Sequence, residues 1–185
     1  LTGLGLESKG IYLLAETTDS SGANPWYGAE TLAGQMFLNL VLAQSGAAVL
    51  NGFSFHSSPY LAAAGAEACA SGWFSTLRFF SLDRYRATVG GGRRPNRKVY
   101  SAKLATRLDL AAVRPLLPAF PEILNGSGRD AEFLRGSPSE TDECLQHWHG
   151  IATLANSLHE QSSLEHRIRK LRSALTAAEQ YRSRL

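Results

Sequence analysis

The stretch Thr31–Ala66 constrains this chain most: thirty-six residues without one Asp, Glu, Lys or Arg. Leu32, Met36 and Leu40 recur there at i, i+4 and i+8, and Ala33, Phe37 and Val41 form the adjacent row, so the spacing predicts a helix with one wide apolar stripe. Gln35 and Asn39 sit four apart on another face. Asn24-Pro25 reads as a cap followed by proline at the first helical position, and Gly46 or Asn51-Gly52 as the stop. A bilayer span needs about 20 apolar residues. Gln35, Asn39 and Gln44, with Gly34 and Gly46, interrupt the candidate span, and no basic cluster flanks it closely. No membrane span is therefore expected; the stretch reads as a central helix covered on most sides by protein. A chain of 185 residues does not easily supply so much cover, which points to a larger assembly.

The rest of the chain reads as mainly α with minor β (α+β), a single domain or a fragment of a larger protein. Residues 1–24 form an N-terminal segment with a short strand at Ile11–Ala15, and 25–82 an apolar helical core. Ser58-Pro59 starts an Ala-rich helix to Ala70, after a brief extended link over Phe53–His56. Residues 83–104 form a basic β-hairpin, Arg84–Val89 and Lys98–Ala102 flanking Gly90–Asn96. Short helices and loops fill 105–136, with a helix from Asp109 cut by Pro115 and ended by Pro118, and further turns at Phe120–Leu124 and Ala131–Leu134. Ser137-Pro138-Ser139-Glu140 offers an N-cap, a proline at N1 and a Glu at N3 for the long C-terminal helix, 137–185. Its first apolar face holds Leu145, Trp148, Ile151, Ala152, Ala155 and Leu158. After Gln161-Ser162-Ser163, Leu164, Ile168, Leu171, Leu175 and Ala178 follow at coiled-coil-like spacing, which marks Leu164, Ile168, Leu171 and Leu175 as a candidate subunit interface.

Charge is unevenly spread. Arg78–Arg114 holds ten basic residues against Asp83 and Asp109, a local +8 in a chain of net charge +3. Arg84, Arg86, Arg93, Arg94, Arg97 and Lys98 are the candidate nucleic-acid contacts, since such groups neutralise phosphates and release counterions. The competing reading is a solvated loop, or arginines paired with acidic neighbours. The Gly-x4-Gly-Lys-Ser/Thr pattern of a nucleotide-binding P-loop is absent.

No constellation nominates a catalytic, metal or cofactor site. Cys144 and His147 share a helix face, but His149 points elsewhere. Ser54, His56, Ser57 and Ser58 are neighbours without a Gly-x-Ser-x-Gly elbow. Glu140 and Glu143 lie in a first helical turn, where carboxylates favour the dipole. Cys69 and Cys144 read as free thiols of a reducing compartment or as packing residues. An enzyme with a pocket beside Trp73 or His56 remains a third class.

The run Pro25-Trp26-Tyr27-Gly28-Ala29-Glu30-Thr31-Leu32-Ala33-Gly34-Gln35, on through Ala47-Ala48-Val49-Leu50, resembles coat proteins of totivirus-like double-stranded RNA viruses of fungi, as do Ala-rich helices broken by loops such as His56-Ser57-Ser58-Pro59-Tyr60. The resemblance implies a mostly helical plate that packs as asymmetric dimers into a thin icosahedral shell around RNA and polymerase. Those coats are several times longer, so this chain would be a fragment or one piece of a processed protein. Some relatives carry a surface histidine that removes mRNA caps; no motif here matches it.

The expectation is a structural, self-assembling protein, a capsid component enclosing double-stranded RNA, with copies of itself or sibling coat chains as partners and the virion or host cytoplasm as location. The alternatives are an RNA- or polyanion-binding module using the Arg93–Lys98 loop, and an enzyme.

Overall fold

The computed structural model of the chain describes residues 10–16, 28–72, 80, 82 and 96–185. These residues are mainly helical with a minor share of strand, the α+β class expected. The chain divides into two compact units, residues 1–86 and 87–185. Among the described residues no helix is long and apolar enough to cross a membrane.

The first unit is built on a parallel crossover. Strand β1 (Gly10–Leu14) leads through helix α1 (Ala29–Gln44) to strand β2 (Ala48–Gly52), which pairs parallel with β1, Ile11 beside Val49 and Leu13 beside Asn51. Parallel neighbours need such a crossover, because a tight hairpin cannot reverse the chain twice. After β2 come a 3₁₀ turn (Phe55–Ser57), helix α2 (Ser58–Ala63) and the short strand β3 (Ala68–Cys69), parallel to the other side of β2.

Helix α1 starts at Ala29, capped by the Gly28 backbone with no side-chain cap, and stops where Gly46 adopts φ 85° after the Ser45 C-cap. A residue at that φ is left-handed, where glycine meets no Cβ penalty. The Gly46 stop matches the sequence reading; Asn24-Pro25, the expected start, lies outside the described residues.

The face α1 buries corrects the sequence reading. Gln35, Asn39 and Leu42 point inward, whereas Phe37, Leu38 and Val41 of the apolar stripe are exposed, Phe37 to 68%. Leu32, Met36 and Leu40 are half-buried. Charge-free segments are apolar nearly all round, so periodicity leaves their rotation open. Here the rotation follows hydrogen bonding: Asn51 stands fully buried on the sheet and needs partners, which Asn39 and Gln35 supply.

Three further expectations change in this unit. Ala48–Gly52 is a strand, though read only as the helix's end. The Phe53–His56 link is not extended: Phe53 and Phe55 take φ of 53° and 37° around a 3₁₀ turn. The Ala-rich helix ends at Ala63, not Ala70, because Gly65 (φ 100°) turns the chain into β3.

The second unit centres on an antiparallel hairpin, β4 (Lys98–Ser101) with β5 (Thr106–Asp109). Lys98–Ser101 is the strand expected and pairs with β5; Arg84–Val89, its expected partner, lies outside the described residues. One edge of β4 pairs with β5. The other is occupied by side chains of helix α5 (Glu140–His159): the Lys98 N–H donates to Glu143, and Gln146 both accepts from the Tyr100 N–H and donates to its carbonyl. A helix that satisfies an edge strand leaves it no template for further pairing.

Downstream, Asp109 caps α3 (Leu110–Val113) by accepting from the Ala111 N–H, and Pro115 falls in a 3₁₀ turn, much as expected. A turn at Pro121–Leu124 and helix α4 (Asp130–Leu134) follow. The α5 cap sits two residues later than expected. Ser139 is the N-cap and Asp142 closes the box, so Glu140, Asp142 and Glu143 all lie in the first turn, where the helix dipole favours them.

The single C-terminal helix is in fact two, α5 and α6 (Leu164–Arg182), with Ser163 capping the second. Gln146 near the start of α5 binds β4, and Tyr181 near the end of α6 joins this unit's core and donates its hydroxyl hydrogen to Glu122. The core joins Val99, Leu110, Val113, Ile123, Leu124, Phe133 and Tyr181.

Candidate functional site

The parallel register places Ile11, Leu13, Val49 and Asn51 on one face of the first unit's sheet, and Tyr12, Leu14 and Leu50 on the other. Helix α1 covers the first. Tyr12, Leu14 and Leu50 are exposed on the second. Parallel sheets are ordinarily covered on both faces, so exposed apolar side chains on this one depart from the usual pattern.

Helix α1 presents a second apolar surface on the side away from the sheet, with Phe37, Leu38 and Val41 exposed beside Ala33 and Gly34. An inward amide row holds this orientation. Asn51 Nδ2 donates to Asn39 Oδ1 at 2.7 Å, Asn39 Nδ2 donates to the Gln35 carbonyl at 2.8 Å and to Asn51 Oδ1 at 3.2 Å, and Gln35 Nε2 reaches the same Asn51 oxygen at 3.2 Å. Turning Phe37 inward would take Asn39 out to solvent and strand Asn51. The apolar exposure is thus locked in by the polar interior.

Of the six candidate nucleic-acid contacts, Arg84, Arg86, Arg93 and Arg94 lie outside the described residues. Arg97 and Lys98 stand among carboxylates. Arg97 Nη1 is 3.8 Å from Glu143, and Lys98 Nζ is 3.8 Å from Asp109. Glu143 also pairs with the largely buried Arg107. Asp109 is held below the ordinary carboxylate range, chiefly by the hydrogen bond from Asn96 and also by the Ala111 N–H and Lys98. Such pairing is the competing reading of these cations, and it balances part of their charge where they stand.

Of the candidate interface residues on α6, Leu171 is buried inside its own unit, and Leu164, Ile168 and Leu175 are half-buried. The last three keep some surface to offer a neighbour; Leu171 does not.

The residues weighed for catalysis and metal binding have structural work. Ser54, Ser57 and Ser58 are buried and bonded within their own turn: Ser54 Oγ lies 2.8 Å from Ser58 Oγ, Ser58 Oγ donates to the Phe55 carbonyl, and Ser57 Oγ donates to the Ser54 carbonyl. Burial pushes the Cys69 thiol up to about 12, against the hydrogen bond with Ser54. Cys144 and His147 are enclosed, His147 edge-on to Tyr100 at 5.6 Å between ring centres, while exposed His149 lies 3.2 Å from Ser127 Oγ. Asp130, also buried, accepts from the Gly126 and Ser127 N–H groups and from Gln146, which ties the loop before α4 to α5.

Sequence reasoning missed both uncovered apolar faces. Asn51 was the available signal, since a buried strand amide demands amides opposite it. No family model, curated protein or solved structure matches the chain.

Proposed function

We propose that this chain is a structural, self-assembling protein whose first unit supplies the contact surface. One observation carries the reading: α1 and the sheet each leave a cluster of large apolar side chains in water, Phe37, Leu38 and Val41 on the helix and Tyr12, Leu14 and Leu50 on the sheet. Burying a fully exposed Val, Leu or Phe side chain contributes about 1.5–3 kcal/mol; covering the exposed part of these side chains contributes a share of that and favours association wherever a complementary surface exists. Lone exposed leucines are ordinary, but clusters on a helix and a sheet of one small unit mark interaction surfaces.

In its most specific form the reading is a coat component, with copies or sibling chains as neighbours, RNA enclosed, and the virion as location. The uncovered faces suit a shell subunit, which completes its apolar layers with its neighbours' surfaces. The test is the mass of purified protein by light scattering, with nucleic acid read from absorbance at 260 against 280 nm. Large uniform particles carrying RNA support the coat form. Protein-only oligomers support self-assembly and remove the coat form. A small, nucleic-acid-free monomer overturns both.

A further inference from the structure

Two Asn–Gly steps occur in the chain, Asn51-Gly52 and Asn125-Gly126. Such a step is chemically weak, because glycine has no side chain to shield its nitrogen from the preceding side-chain amide. The glycine nitrogen bonds to the asparagine Cγ, and the amide nitrogen leaves as ammonia with the proton that the glycine nitrogen gave up. Water then opens the cyclic imide to aspartate or isoaspartate. The fold treats the two steps differently. Asn51 is fully buried, with its amide tied to Asn39. Asn125 is exposed, in the turn between Pro121–Leu124 and α4.

Two features of that turn oppose the reaction. The Gly126 N–H donates to Asp130 Oδ2 at 3.0 Å, and the Ser127 N–H donates to the same oxygen at 2.8 Å. The carboxylate holds the proton that must leave, and its charge opposes negative charge on the Gly126 nitrogen. Asn125 also has ψ 33°, which sets that nitrogen nearly opposite Cβ across the Cα–C bond, turned away from the amide it would attack. Asp130 is itself only 3% exposed, and Gln146 of α5 donates to its other oxygen at 2.8 Å. The guard is thus anchored to the long helix of its unit.

We propose that Asn125 is a spontaneous modification site gated by Asp130. Ring closure is blocked while the turn is docked on the carboxylate and proceeds when the turn opens, a local event that needs no global unfolding.

The change runs one way. A Cβ on Gly126 would stand 2.5 Å from the Ala102 Cβ, so the backbone there has little room. Isoaspartate adds a methylene to the main chain just before Gly126, and the lengthened turn does not return both N–H groups to Asp130. Aspartate keeps the chain length but adds a carboxylate near Asp130. Either product weakens the docking that held the reaction off, so the site records the time the turn has spent open.

The full chain, aged at neutral pH in buffer and in urea, tests this, with products at both Asn–Gly steps read by peptide mapping and mass spectrometry. Both steps are expected to react in urea. In the folded chain Asn125 is expected to react at least tenfold more slowly than in urea, and Asn51 more slowly still. Asp130→Asn removes the charge and leaves a single oxygen for the Gly126, Ser127 and Gln146 donors. It is expected to speed the reaction at Asn125 at least tenfold, with circular dichroism unchanged and Asn51 unaffected. Hydrogen exchange at the Gly126 amide is expected to rise in step with Asn125 reactivity as urea is raised below the unfolding transition.

Equal rates at Asn125 in the folded and unfolded chain overturn the gating. A folded Asp130→Asn chain that reacts at the unsubstituted rate overturns the role of Asp130. Where that variant fails to fold, the exchange comparison decides: Asn125 reactivity that stays flat while Gly126 exchange accelerates overturns the proposal.

Discussion

Asn39 and Asn51 exchange side-chain hydrogen bonds, Asn51 Nδ2 to Asn39 Oδ1 at 2.7 Å and Asn39 Nδ2 to Asn51 Oδ1 at 3.2 Å, with both residues fully buried. One comes from the crossover helix and the other from the central strand, so the pair fixes the rotation of α1 on the sheet. The second unit uses the same device. There Gln146 clasps both backbone groups of Tyr100 and binds Asp130. Each unit therefore ties its long helix to its strand through amides.

Asn39→Ala is expected to destabilise the first unit by about 1–3 kcal/mol, because Asn51 Nδ2 loses the Asn39 acceptor while still buried, Gln35 reaching only its Oδ1. Combining it with Asn51→Ala is expected to cost less than the two separate losses by about 1 kcal/mol or more. Urea unfolding of the three variants checks both statements.

Gly150 tests the contact between α5 and β4. A Cβ there would stand 2.5 Å from the Tyr100 ring. Gly150→Ala is expected to destabilise by about 1–3 kcal/mol through overpacking, although alanine is the better helix former. Urea unfolding reads the sign, which helix propensity and packing set oppositely.

Glu143→Ala removes a partner of the largely buried Arg107 and an acceptor for the Lys98 N–H. Breaking such a pair from one side costs about 3–5 kcal/mol. Thermal unfolding is expected to show a larger loss than for Glu165→Ala, which breaks an exposed pair with Arg169.

Acid stability follows from Asp109 and Asp142. The hydrogen bonds from Ser139 hold Asp142 below its ordinary value of 3.8, as those from Asn96 and Ala111 do Asp109. A carboxyl depressed in the folded state contributes stability above its unfolded pKa and loses it as pH falls through the folded value. The melting temperature is therefore expected to fall as pH drops from about 4 toward 2. Asp142→Asn is expected to flatten part of that fall, as thermal melts across the range would read.

The Cys69 thiol, pushed up to about 12, is scarcely ionised at neutral pH, and the thiolate is the nucleophile. Alkylation at pH 7.5 is expected to be at least tenfold slower in the folded protein than in urea, with modified sites assigned by mass spectrometry.

Local chemistry was legible where a residue acts on its immediate neighbours. Gly46 ends α1, Asp109 caps α3, Pro115 breaks the following turn, and Ile11–Leu14 forms a strand, as their types require. The α5 start was displaced by two residues because Ser137 and Ser139 both suit a cap, and Asp142 decides between them. What sequence could not rank was rotation. Leu32, Phe37 and Val41 are as apolar as any core residue, and only the position of Asn51 on a strand unrecognised in the sequence turns α1 inside out. Strand β2 itself was hidden because Ala48–Gly52 is short and carries an Asn. Pairing partners were hidden likewise, since Lys98–Ser101 fits any β-prone neighbour and Thr106–Asp109 happens to be nearest.

Sedimentation equilibrium of the purified chain across a wide concentration range tests the central claim most directly. Self-assembly through the uncovered faces predicts an apparent mass above 20.0 kDa that rises with concentration. A constant 20.0 kDa at every concentration would contradict it.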